Sequence, residues 1–164
     1  MMSCKFPLAV RVIVAVMICG WLLFSQAVSK PDIYDPAAVV KDQIRAAQKV
    51  AAGENRHLLL MFGANWCPWC HRLHELMQSD AAIKSLLQKK FELIMIDVGE
   101  KANEPLNRDL MDLYRVKGFG LPVLVVLDKE GVLLCIQDTG ILEKDKGHDP
   151  ARVLAFLQAN QPAG

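Results

Sequence analysis

The chain has 164 residues, a formal net charge of +1 and 52% hydrophobic residues. That length suits one domain of ordinary size with its own core. Basic and acidic residues nearly balance, and no basic stripe carries interleaved aromatics, so nothing supports binding to nucleic acid.

Lys5 and Arg11 flank an acid-free start that leads into VIVAVMICGWLLF, residues 12–24. This apolar run matches a signal-peptide core and falls short of the roughly 20 residues needed to span a bilayer. Ser25, Gln26 and Ala27 place small residues where a signal peptidase reads. Residues 1–27 are therefore read as a signal peptide cleaved after Ala27, with an uncleaved anchor in the inner membrane as the alternative. Met17 and Ile18 before Cys19 argue against a lipoprotein signal. Either way, the body is expected to be exported. Without residues 1–27 it loses two bases and no acids, and of five cysteines it keeps Cys67, Cys70 and Cys135. Three cysteines make a poor disulfide scaffold but suit one reactive pair plus one spare, in a compartment that permits disulfide chemistry.

Residues 28–35 read as an extended lead-in to a domain over residues 36–162. Residues 36–52 follow as an amphipathic helix, with Val39, Val40, Ile44, Ala47 and Val50 at helical spacing and Gly53 as its stop. HLLLMFG (residues 57–63) is too short for an independent helix and reads as a strand buried on both faces. A helical pattern through Leu73, Leu76 and Met77 comes next, then a second helical piece over residues 81–90, capped by Ser79 or Asp80. FELIMIDV (residues 91–98) is another buried strand, and residues 99–104 are a polar loop. Pro105 opens a helix to about Tyr114. GFGLP then leads into a strand over residues 123–128. Lys129-Glu130-Gly131 turns the chain into the strand VLLCIQD, paired to the one before. A helix over residues 150–160 closes the domain. The order predicts an α/β fold, a central mixed sheet of about four strands flanked by helices, with an additional N-terminal helix.

Between the first strand and its helix lies NWCPWCHRLH, residues 65–74, which admits three chemistries. As a dithiol, Cys67 would sit at a helix start, where free backbone N–H groups and the positive dipole end favour a thiolate. Cys70, one turn inward, would be the shielded thiol that resolves a mixed disulfide, and a protonated His71 would add to the field at Cys67. As a haem site, Cys67, Cys70 and His71 complete the attachment signature. The surroundings do not match, because a haem c domain is usually a small helical fold. As a zinc site, Cys67, Cys70, His71 and His74 offer suitable ligand types, but adjacent Cys70 and His71 point in different directions on a helix. No metal site is expected, and a disulfide across so short a loop would add little stability.

The segment LLLMFGANWCPWCHRL resembles the active-site segment of the thioredoxin superfamily, in which a strand leads into Trp-Cys-x-x-Cys and a helix. Gly120-Leu121-Pro122 before VLVVLD is similar to the family's cis-proline loop. The Trp-Cys-x-x-Cys-His form and the Ser-Asp after the helix look closest to secreted thioredoxin-like proteins, including the C-terminal domain of DsbD. The likeness covers residues 41–160. It implies a thioredoxin-like fold, Cys67 as nucleophile and Cys70 as resolving thiol. It also implies Trp66, Leu121 and Pro122 at the substrate, with Pro68, Trp69 and His71 tuning the redox pair. Three departures stand out. Met61 occupies the place of the family's buried acid, so that acid's help in moving the Cys70 proton is either missing or supplied by water or another group. Pro68-Trp69 replaces Gly-Pro, and residues 116–122 run about two residues longer than usual into the cis-proline.

The implied activity is an exported thiol:disulfide oxidoreductase, a reductase first, acting on periplasmic protein disulfides or dithiols. It needs no dissociable cofactor and draws electrons from a membrane donor protein. The alternatives are an oxidant of the DsbA type or an isomerase, a thioredoxin-fold chaperone or binding module, and, remotely, a c-type haem protein. Cys135 is expected to be a buried small hydrophobe and His74 a helix-face residue. Asp97 and Glu100 are expected to be solvent-facing or capping. Trp69 is either a substrate contact or a cover over the disulfide, and Phe119 either packs its loop or rims the substrate site.

Overall fold

Strand β1, His57–Gly63, is buried along almost its whole length, and its neighbours explain why its residues are uniformly apolar. The computed structural model describes residues 30–99 and 105–163. The expected signal peptide and Glu100 lie outside them. A compact unit begins at Asp32. In chain order, helix α1 (Val40–Glu54) precedes β1, then come α2 (Pro68–Ser79), α3 (Ala81–Lys90), β2 (Phe91–Asp97) and α4 (Arg108–Leu113). Strands β3 (Val123–Leu127) and β4 (Leu133–Asp138) follow, with a 3-10 turn at Thr139–Leu142. A short ribbon of β5 (Glu143–Lys144) and β6 (Gly147–His148) leads to helix α5, Pro150–Ala159.

The main sheet has the order β2-β1-β3-β4. Strand β1 runs parallel to β2 with Leu60 opposite Ile94, and antiparallel to β3 with Met61 opposite Leu124. Because side chains alternate across a strand, β1 feeds two separate cores. Leu59 and Met61 pack with Leu73, Met77, Ile83, Val153 and both motif cysteines, beneath α2, α3 and α5. Leu58, Leu60 and Phe62 pack with Val40, Ile44 and Leu110, beneath α1 and α4. With both faces covered, a central strand has no position for a polar residue. The four-stranded mixed sheet, its flanking helices and the additional N-terminal helix are the architecture expected from the sequence.

Several boundaries differ. Helix α1 starts at Val40, because Asp35 turns the chain by accepting the Ala37 N–H at 2.9 Å. It runs through Gly53 and stops at Asn55, whose φ of 50° ends the helix in the left-handed region. The helix expected from Pro105 begins only at Arg108. Leu106 N–H is held by the Val98 carbonyl at 3.1 Å, and Asn107 Nδ2 donates to the Asp97 carbonyl at 2.9 Å. Residues 105–107 are thus tied to the end of β2 before a helix can form. Strand β4 is one of the two edge strands, which leaves Cys135 half-buried rather than buried. Asp97 is buried and caps its own turn, accepting the Gly99 N–H at 2.7 Å.

Candidate active site at the Cys67–Cys70 pair

Strand β1 ends at Gly63, and a turn closed by Cys67 N–H on the Ala64 carbonyl (3.0 Å) delivers the chain to α2. Pro68 occupies the first helical turn, where a missing N–H costs nothing. Cys67 is the N-cap. Its sulfur accepts the Cys70 N–H at 3.3 Å, taking the place a serine or aspartate oxygen fills in other helices. Cys70, one turn in, is fully buried.

The loop before β3 meets this helix start. The Leu121–Pro122 peptide is cis, and the Leu121 carbonyl lies 3.7 Å from Cys67 Sγ. Cys67 is therefore only 4% exposed, less open than a reactive first cysteine is expected to be. Pro122 is itself buried, and its carbonyl accepts the Thr139 hydroxyl. Trp66 is exposed, with its indole N–H donating to the Gly99 carbonyl at 3.0 Å. Trp66, Val98, Met111, Phe119 and Leu121 line a cleft of about 420 Å³, with Arg108 and Lys117 also at its wall. Phe119 therefore faces this cleft instead of packing its loop closed.

The remaining residues of the motif face other ways. His71 Nε2 lies 2.7 Å from the Asn65 carbonyl, which as an acceptor fixes the proton on that nitrogen. The Trp69 ring lies beneath the Arg72 guanidinium at 4.8 Å and meets the His148 ring edge-on at 5.5 Å. It packs against the core that contains both cysteines. His148 is buried, with neither ring nitrogen hydrogen-bonded. Burial and the Arg72 charge hold it below the usual histidine range. His74, partly buried, is lowered by burial and by His71. Among the described residues, no three metal-ligating side chains converge.

The two sulfurs differ sharply in acidity. The Cys70 thiol's hydrogen bond lowers Cys67 to about 6, against the pull of burial, with help from the N–H groups of Cys70 and Trp69 and from His71. The same hydrogen bond and deep burial push Cys70 well above the ordinary thiol range. Cys135 is raised by burial. At neutral pH the pair therefore holds a thiolate at Cys67 beside a neutral thiol at Cys70.

Three residues of this neighbourhood escaped the sequence reading: Tyr34, Asn65 and His148. Asn65 Oδ1 accepts the N–H groups of Ile33 and Tyr34 at 3.0 and 2.9 Å, and its Nδ2 donates to the Tyr34 carbonyl at 2.9 Å. The expected lead-in is thereby fastened to the motif loop, and the Tyr34 side chain is 2% exposed in the core beside the cysteines. The only sequence signal was the apolar pair Ile33-Tyr34 between Asp32 and Asp35.

Residues 44–147 match the family of the thioredoxin-like domain. The chain belongs to the thioredoxin-like family. Thiol:disulfide interchange protein DsbD of Actinobacillus pleuropneumoniae is 27% identical over 114 residues, which are 70% of this chain and 16% of DsbD. The chain therefore spans a small part of that relative. The crystal structure of disulphide isomerase from Xylella fastidiosa Temecula1 superimposes with a TM-score of 0.67 at 27% identity, covering 77% of this chain and 95% of that one. The DsbD C-terminal domain of Neisseria meningitidis, in its oxidised form, shares the fold with a TM-score of 0.51 at 19% identity, covering 76% and 97%. In this thioredoxin-like chain the Cys-x-x-Cys pair stands at the junction of β1 and α2.

Proposed function

We propose that the protein is an exported thiol:disulfide oxidoreductase that uses Cys67 and Cys70 to reduce or exchange disulfides of periplasmic proteins. The observation that carries this reading is the geometry of the pair: Cys67 Sγ caps α2 and accepts the Cys70 N–H at 3.3 Å, and Cys70 is fully buried one turn in. The Cys67 thiolate attacks one sulfur of a substrate disulfide. The substrate S–S bond breaks, one substrate thiolate leaves and takes a proton, and a Cys67–substrate mixed disulfide forms. Cys70 then loses its proton and attacks Cys67 Sγ. The second substrate thiol departs, and the protein is left with a Cys67–Cys70 disulfide. Two electrons have passed from the pair to the substrate, so the chemistry needs no dissociable cofactor.

The cleft beside Trp66 and Leu121 is the approach for a substrate segment, with the loop ending at Pro122 shielding Cys67 until it arrives. Pro68, Trp69 and His71 set how strongly the pair holds its electrons. Residues 1–27 direct export as a signal peptide or anchor, residues 28–35 lead into the domain over residues 36–162, and a membrane protein supplies electrons. No helix among the described residues is long and apolar enough to cross a membrane.

Reduction is the favoured direction. The likeness to the thiol:disulfide interchange protein DsbD supports it. The likeness to a disulphide isomerase favours isomerisation as the second reading. Equilibration of the protein with glutathione buffers tests the assignment. The expected midpoint lies between about −270 and −200 mV, and a value near −120 mV would make the protein an oxidant. A pair that never exchanges with glutathione would sink the oxidoreductase reading. Recovery of activity by a scrambled substrate protein, without net change in its thiol content, would identify an isomerase.

A further inference from the structure

The Tyr34 hydroxyl is buried with no hydrogen-bond partner among the described residues. Burying a hydroxyl unpaired is costly, yet this ring is held in place by all three hydrogen bonds that Asn65 makes to the backbone of residues 33 and 34. The polar group that bears on the hydroxyl most is the Cys70 thiol. A Cβ on Gly63 would lie 2.2 Å from Tyr34 Oη and 2.6 Å from Cys70 Sγ. Both atoms therefore crowd one small space, which exists because residue 63 has no side chain. Met61, in the same cluster, contributes only apolar surface and a weak sulfur acceptor.

We propose that Tyr34 is a catalytic residue of the resolving step: its hydroxyl donates a hydrogen bond to Cys70 Sγ and stabilises the thiolate formed there. This rests on the oxidoreductase reading and names the group that serves its buried thiol. In the step, the Cys70 proton passes to solvent and the Cys70 sulfur attacks Cys67 Sγ. The bond between Cys67 and the substrate sulfur breaks, and a proton from solvent replaces the lost one on the departing substrate thiolate. Tyr34 keeps its own proton throughout. Burial and the two neighbouring thiols raise its phenol far above the ordinary range, so it acts as a donor and never as a base.

The surrounding charges are consistent with that role. The hydrogen bond with Cys67 and burial raise the Cys70 thiol, while a backbone hydrogen bond at Ala64 and the Tyr34 hydroxyl work in the opposite direction. Asp97, at the end of β2, bears on Tyr34 and raises it further. His71, on α2, acts on Cys67.

The test uses the full chain with Cys4, Cys19 and Cys135 replaced by serine, with and without Tyr34→Phe. The reduced protein is mixed with 5,5′-dithiobis(2-nitrobenzoate). Attack by Cys67 releases the first thionitrobenzoate, and resolution by Cys70 releases the second. Phenylalanine keeps the ring and its packing, and thermal unfolding verifies that the fold is retained. Loss of a hydrogen bond to a charged sulfur is expected to slow the second release about tenfold near neutral pH, with the first release changed less than about twofold. The pH profile of the second release should also move upward, which a purely structural role for the ring would not produce. An unchanged second release, or equal slowing of both, overturns the role of Tyr34 while leaving the oxidoreductase reading intact. A parent protein that releases only one equivalent defeats that reading, and the role of Tyr34 falls with it.

Discussion

Cys67 owes its acidity to neighbours that differ in kind. The Cys70 thiol contributes the largest pull, the N–H groups at the start of α2 contribute next, and His71 adds a smaller share. These sources separate experimentally. Cys70→Ala removes the thiol and leaves the helix N-terminus and His71 in place. The pH midpoint for alkylation of Cys67 by iodoacetamide is therefore expected to rise from about 6 toward the ordinary thiol range, staying below it. An unmoved midpoint would assign the acidity to the helix end and His71, with no share from the Cys70 thiol. The reactive pair was legible in the sequence because strand, Cys-x-x-Cys and helix are contiguous. Tyr34 was not, since its position depends on the side-chain amide of Asn65, some thirty residues later in the chain. Nothing in the local pattern around Tyr34 encodes that contact.

The elements follow the same division between local and distant causes. Strand β1 and helix α3 have the limits expected from the apolar pattern and the caps. The ribbon of β5 and β6 had no comparable signal. Each strand has two residues, and the turn between them relies on Asp145 adopting a φ of 55°. Helix α4 is shortened by hydrogen bonds from Leu106 and Asn107 to the end of β2, contacts between segments that a linear pattern cannot show. The break between α2 and α3 does have a local cause. Asp80 ends the first helix, and its carboxylate caps the second by accepting the N–H groups of Ala82 and Ile83, each at 3.0 Å. Asp80→Ala should destabilise the fold by about 1 kcal/mol, the usual worth of such a cap, read as a lower urea midpoint. The alkylation rate of Cys67 should not change, because the cap lies at the far end of α2. A variant as stable as the parent would show that the packing of Ile83 and Leu87 alone holds α3 in place.

At the scale of the molecule, the redox state of the pair and the stability of the fold are linked through protons. Cys67 titrates near 6 in the folded, reduced protein, against an ordinary value of 9.0. A group lowered on folding contributes stability that is complete above its unfolded value and is lost as pH falls through its folded value. The oxidised protein has no Cys67 thiol to titrate, so it gains and loses nothing by this route. The reduced form should therefore lose stability relative to the oxidised form as pH falls from about 9 to about 6. Cys70 does not disturb this window. Its thiol is raised, so it stays protonated in both folded and unfolded chains until the pH exceeds the ordinary thiol value. Other groups titrate almost equally in the two forms and cancel in the difference. Urea unfolding of both forms at several pH values measures the gap directly. A gap that does not change with pH would mean that the fold does not favour the Cys67 thiolate, and the proposed reduction would then need a base brought by the substrate. A gap that shifts against the reduced form on acidification would tie its reducing power to the pH of its compartment. Reduction of the pair takes up one proton above about pH 6, where an ordinary disulfide takes up two, so acid raises both potentials but the pair's less, making it a stronger donor relative to ordinary dithiols.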